Sequence, residues 1–354
     1  MTAAHRLGRR SFLAAVGAAG LAGCAGRPPP PPRPPRPAPG QPGVVTAARS
    51  KTALAAFDVT TRDRNGLAET LRACASPVSD ATMTVAVGAS LFDGRFGLER
   101  PRHLTPMPSF RNDVLDPQWC HGDLLVQVSA DSQEALDAAL ARRIPGVTPR
   151  WRLTGFHPDG ESRNLFGFRE GAGNPDVADA RAMDQHVWVQ PGDDEPAWCA
   201  GGTYQVVRLI RLAMPIWDAE PVPVQERVFG RRKDSGAPLG QGDERAKPDF
   251  AGDPQGRTIA LDAHIRRANP RTPDSEAHRI LRRGHSYRRS EEDAGQIFVC
   301  YQRNLESGFT TIQRRLAGEA LEKYTLPFGG GYFFVLPAST DAGGDYLGRT
   351  MLAT

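Results

Sequence analysis

Cysteine is scarce and never closely paired: five in 354 residues, at positions 24, 74, 120, 199 and 300. With no C-x-x-C spacing a structural zinc site is not indicated, and free buried thiols are the expected state. A long apolar run is missing too, since Leu13–Ala22 is too short to cross a bilayer. Surplus positive charge is absent from the body of the chain. The net charge of +4 comes from 44 basic and 40 acidic residues, but the first 42 residues hold six arginines and no acid, leaving −2 for the rest. Nothing there favours nucleic acid as a partner. There is no phosphate loop G-x-x-x-x-G-K-[ST], no G-x-G-x-x-G after a strand and no G-x-S-x-G elbow, so nucleotide chemistry and serine hydrolysis have no support.

What is present begins with an export signal. Arg9-Arg10-Ser11-Phe12-Leu13 is a twin-arginine pair leading into a small-residue apolar run. Leu21-Ala22-Gly23-Cys24 has the form of a lipobox. Lipidation of Cys24 and ordinary cleavage nearby both remain open. Ten prolines among residues 28–42 form an extended spacer of roughly 45 Å. The expected layout is a signal over 1–26, a linker over 27–43, an N-terminal domain over 44–190 and a C-terminal domain over 191–354. The destination is a periplasmic, cell-envelope or extracellular location, with a possible lipid tether.

Alternation predicts strands at Ala55–Thr60, Met83–Gly88, Asp123–Ser129 and Trp151–Thr154, then at Thr203–Leu212, Gln296–Gln302 and Gly331–Leu336. Helices are expected over Leu67–Ala75, over Ser132–Arg143 with Asp131 and Glu134 as a capping box, and over Phe309–Tyr324. Strand–helix–strand repeated through both halves predicts an α+β fold of two ferredoxin-like domains with antiparallel sheets. The long Gly/Pro/Asp-rich stretch between the halves, 155–202, is long enough to be functional.

That stretch carries Gly167-Phe-Arg-Glu-Gly-Ala-Gly-Asn-Pro175, where glycines around Glu170 let backbone approach a flat ligand. Two later segments complete the set: Ala263-His264-Ile-Arg-Arg-Ala-Asn-Pro-Arg271 and Leu281-Arg282-Arg283-Gly284. An imidazole that can hold iron, a carboxylate that can move a proton and a guanidinium that can stabilise oxygen anion are the parts of a haem peroxidase. Taken singly, each has a plain alternative: Glu170 a solvated turn acid, Arg282 and Arg283 the basic end of a helix. The histidines at 103, 121, 157, 186, 278 and 285 lie in polar, loop-like contexts and read as ordinary side chains.

The chain from about Gly40 to Thr354 resembles the dye-decolorizing peroxidase family, of the exported, deferrochelatase-like type that accompanies bacterial iron uptake. The matching blocks include Ala55–Val59, Arg95–Leu98, Gly122–Val126, Gly167–Gly171, Ser235–Leu239, Ala263–Arg271, Arg279–Tyr287 and Gly329–Phe334, in family order. The resemblance implies one haem b (iron protoporphyrin IX) per chain, in the C-terminal domain, with His264 as iron ligand and metal site. It also implies Arg282 as distal arginine and Glu170 as distal acid, where the family usually has Asp. Glu319 is the candidate partner of His264, and Arg266, Arg271 and Asn174 are candidates to meet haem propionates. Tyr287, Trp217 and Tyr332 are candidates to relay electrons, with core packing the alternative. Hydrogen peroxide and a small reductant (phenol, dye, porphyrin or ferrous iron) are the expected substrates. A haem- or porphyrin-binding iron-uptake component with little turnover is the second reading. Iron-uptake partners and a homo-oligomer are further expectations.

Overall fold

A computed structural model describes residues 40–158, 163–339 and 345–354. The signal, the possible lipidation at Cys24 and nearly all of the linker lie outside the described residues. Among the described residues are nine strands, with short helices between most of them: β1 (Lys51–Val59), β2 (Ala81–Gly88), β3 (Leu124–Ala130), β4 (Val147–Phe156), β5 (Thr203–Leu212), β6 (Leu281–Arg282), β7 (His285–Arg288), β8 (Ala294–Gln302) and β9 (Thr325–Val335). Every pairing between them is antiparallel.

The order is β5-β9-β2-β3-β1-β4-β7-β8, and β8 returns to β5. Two independent sheets were expected; one sheet closed into a barrel is found. The physical reason is edge disposal. The outer strands of the first half, β2 and β4, pair with the outer strands of the second, β9 and β7, so backbone groups that would face solvent are hydrogen-bonded. Side-chain alternation then separates two cores. Leu54, Ala56, Leu125, Val207, Leu209, Ile297, Val299 and Phe333 belong to one. Ala53, Val126, Val206 and Phe334 belong to the other, with Leu67, Leu71 and Leu136 of the covering helices.

Three local expectations are corrected. The helix Gln133–Leu140 is capped by Ser132, whose hydroxyl accepts from Ala135 N–H, while Asp131 pairs with Arg49 and Ser50 instead. The helix expected over Phe309–Tyr324 is broken: a turn of α-helix at Thr311–Leu316 stops at Gly318, whose φ of +80° is left-handed, and a 3₁₀ turn resumes at Ala320. Arg282 and Arg283 do not end a helix. They sit on and after β6, with Gly284 between β6 and β7. The four cysteines after residue 40 are free and buried.

One ion pair fastens the barrel to its flank. Arg208 of β5 grips Asp113 through both terminal nitrogens, with Nη1 to Oδ2 at 2.9 Å, and the two side chains are 3% and 0% exposed. Removing one partner strands the other charge without water. Asp113→Ala is therefore expected to cost about 3–5 kcal/mol, read as a lower midpoint in urea unfolding. A loss no larger than that of an exposed pair contradicts this account.

Candidate active site

His264 opens the short helix His264–Ala268 and meets the edge of Phe229, ring centroids 6.0 Å apart. The break at Gly318 brings Glu319 to it. Ala320 N–H bonds to Asp262 carbonyl at 3.1 Å, tying the turn to the residue two before His264. His264 Nδ1 then lies 2.6 Å from Glu319 Oε2. A carboxylate only accepts, so the ring proton sits on Nδ1 and the Nε2 lone pair is free for a metal.

Arg282 is fixed by the glycine-rich turn. Its guanidinium donates to Ala172 carbonyl and to Asn174 Oδ1, and Asn174 Nδ2 donates back to Arg282 carbonyl at 2.9 Å. The turn needs its glycines, because Gly171 and Gly173 have φ of +83° and +82°. Asn174 is thus a clamp on Arg282.

His264, Arg282, Glu319 and Arg271 line one cavity of about 1350 Å³ counted out to its mouth. Ile265, Ile280, Phe298, Phe309, Ile312 and Leu316 supply an apolar wall. Arginines crowd its polar side. Burial, then the Arg282 and Arg271 charges, push Arg231 down to about 10. Burial and Arg279 lower Arg271, and burial lowers Arg282. Like charges gathered in a partly apolar slot lower one another's pKa, a cost that an anionic ligand relieves. An apolar macrocycle bearing two carboxylates and a metal needing one imidazole matches these walls, so haem fits the residues present.

Not every candidate reaches this cavity. Arg266 donates to Ile259 and Asp253 carbonyls and pairs with Asp253, so its guanidinium is used in holding the loop before His264. Glu170 and Asn174 line a neighbouring cavity of about 710 Å³ to its mouth, with Arg282 lining both. Glu170 Oε1 accepts from Gln296 Nε2 at 2.5 Å. Burial pushes its pKa up to about 7, against the opposing pull of Gln296 and Arg282. Trp217, Tyr287 and Tyr332 are all buried. Trp217 packs between Phe166, Phe229 and Tyr324, which leads from the Phe229 ring beside His264.

Gln296, Arg231 and Gly284 were missed in the sequence. The only signal for Gln296 was a polar residue within the apolar run of β8. Gly284 earns its place by close approach: a Cβ there would lie 2.4 Å from Gln296 Nε2 and 3.1 Å from Glu170 Oε2. Gly284→Ala is expected to displace both side chains. Peroxide turnover should fall about tenfold or more, as positioning of an acid–base group demands, while haem affinity stays at the parent value. Equal losses of both in a reconstitution assay would contradict that placement.

Comparison with known proteins points one way. Residues 73–157 match the family model for the N-terminal part of Dyp-type peroxidases and residues 161–340 the model for the C-terminal part. A deferrochelatase from Shigella flexneri is 49% identical over 291 residues, covering 77% of this chain and 69% of the relative. The crystal structure of a DyP-type peroxidase from Cellulomonas bogoriensis superposes with a TM-score of 0.79 at 33% identity, over 90% of this chain and 97% of that one. Ferric DtpA from Streptomyces lividans gives 0.79 at 32%, over 90% and 96%.

Proposed function

The chain belongs to the Dyp-type peroxidase family, and from that premise we infer that it is a haem peroxidase whose cofactor occupies the cavity between His264 and Arg282. The observation that carries this is the His264–Glu319 pair, which leaves Nε2 free in a slot walled by apolar side chains and arginines. His264 would hold the iron, Glu319 would raise the basicity of that imidazole, and Arg231 and Arg271 would meet the propionates. Bound haem supplies the cleavage of peroxide and the one-electron oxidation of donors. Arg282 stabilises negative charge on the departing oxygen. Glu170, with Oε1 held by Gln296, takes and returns a proton at Oε2. Asn174 keeps Arg282 in place.

The reading of each half as a ferredoxin-like unit rests on strand order: β4-β1-β3-β2 in the first and β9-β5-β8-β7 in the second. The haem cavity then belongs to the C-terminal unit. Donors are phenols, dyes, porphyrins or ferrous iron, and Trp217, packed on the Phe229 ring beside His264, would pass electrons toward it. The relative's name, deferrochelatase, favours a second use of the same cavity, the release of iron from haem. Twin-arginine export, a tether at Cys24, iron-uptake partners and homo-oligomerisation belong to the same proposal and rest on the sequence alone.

The test is peroxide reduction by haem-loaded protein with a phenolic donor. Turnover far above that of free haem is expected. A rate equal to free haem, with haem bound, would leave the iron-release reading in its place.

A further inference from the structure

The cavity that Glu170 lines sits beside one seam between the halves of the barrel, where β4 pairs β7 through Phe156 and Ser286. Just beyond that pair lie two histidines that the sequence marked as ordinary. His157 and His285 are 8% and 3% exposed and stack with centroids 4.2 Å apart at 28°. His285 Nε2 bonds to Arg49 carbonyl at 3.1 Å. Among the described residues His157 has a hydrogen-bond partner at neither ring nitrogen, although both are buried, and it lines the Glu170 cavity. An imidazole buried with two orphaned nitrogens in a polar cavity is costly unless the site uses it. Gln296 Oε1, on the side chain that grips Glu170, is orphaned in the same way.

The overall reaction demands protons. Reducing one hydrogen peroxide to two waters consumes two electrons and two protons, and the protons must enter from solvent. Arg282 lines both cavities, so Glu170 meets the His264 cavity beside that side chain, and the side of Glu170 that exchanges with solvent is this second cavity.

We propose that His157 is the positioning residue that carries protons between solvent and Glu170 through the second cavity. The step balances simply: imidazolium at His157 gives a proton to the Glu170 carboxylate, becomes neutral imidazole, and takes a replacement from water at its other nitrogen. Two ring nitrogens, neither held by a partner among the described residues, let a proton enter at one and leave at the other without the ring turning. The charged and titratable groups facing His157 are Glu170, Asp176, Arg282 and Arg283, which line the cavity, and His285 stacked on it. Burial lowers His157, and burial with His157 beside it pushes His285 down to about 4. Both rings are held below the ordinary imidazole value, and of the two it is His157 that lines the cavity and can meet a proton there.

This inference rests on the peroxidase reading, and its test separates the two. His157→Ala in haem-loaded protein is expected to slow turnover about tenfold, to shift the pH profile and to recover with added imidazole. His157→Gln, which keeps most of the volume, should show the same loss without recovery. In haem-free protein, Glu170→Gln should move the His157 titration seen by imidazole nitrogen NMR to lower pH, because a neighbouring anion that favours imidazolium is gone. An active parent with unchanged His157 variants, or a loss in His157→Ala that imidazole does not restore, overturns the relay alone, as does a His157 titration indifferent to Glu170. A parent no faster than free haem overturns the peroxidase reading and the relay with it.

Discussion

Glu170→Gln should abolish most peroxide turnover, by about 10²–10⁴-fold, and leave haem binding as it was. The amide can still meet Gln296, so the local packing is kept, but it cannot take a proton. The parent's pH profile should show where that proton goes. Burial raises Glu170 to about 7, so the carboxylate is the main form above that pH and the acid below it. A base that accepts the first proton of peroxide works only as carboxylate. Peroxide consumption should therefore fall as pH drops through about 7, and the limb should vanish in Glu170→Gln. Stopped-flow mixing with peroxide across pH 5–9 checks both points. An unchanged rate in the variant, or a limb that persists there, contradicts the assignment.

His264→Ala should cost more than about 100-fold in haem affinity, since loss of an outer partner alone costs 10–100-fold. Two histidines line the cavity, His264 and His278. His278 has its Nδ1 against Ser307 carbonyl rather than a carboxylate. His278→Ala should accordingly bind haem as the parent does. Titration of each protein with haem, followed by absorbance, measures the contrast. If the His278 variant fails and the His264 variant binds, the cavity is right and the ligand wrong.

The longer strands of the barrel were legible as short apolar runs, most of them buried on both faces between the two cores. Those that failed to show were β6 and β7, two and four residues long and split by Gly284, which no window of alternation can register. Barrel closure was hidden for a different reason: pairing between β4 and β7 depends on which edges meet, and that is settled in space. The broken helix at Gly318 is the most consequential miss. Helical periodicity runs through it, yet the left-handed glycine turns Glu319 toward His264. Glu319 was named for His264 because a haem-ligating imidazole gives its other N–H to a carboxylate, with an exposed helical Glu the alternative; no local pattern links residues so far apart. Arg266 shows the opposite failure. A basic residue two positions from His264 invites a propionate, but the Asp253 loop, which the sequence does not place, takes its guanidinium.

A structure of the haem-loaded protein would judge the account directly. Iron bonded to His264 Nε2, Glu319 still on Nδ1 and Arg282 over the other porphyrin face is the arrangement that follows from these residues. Porphyrin in another cavity, or iron held by His278, would contradict it.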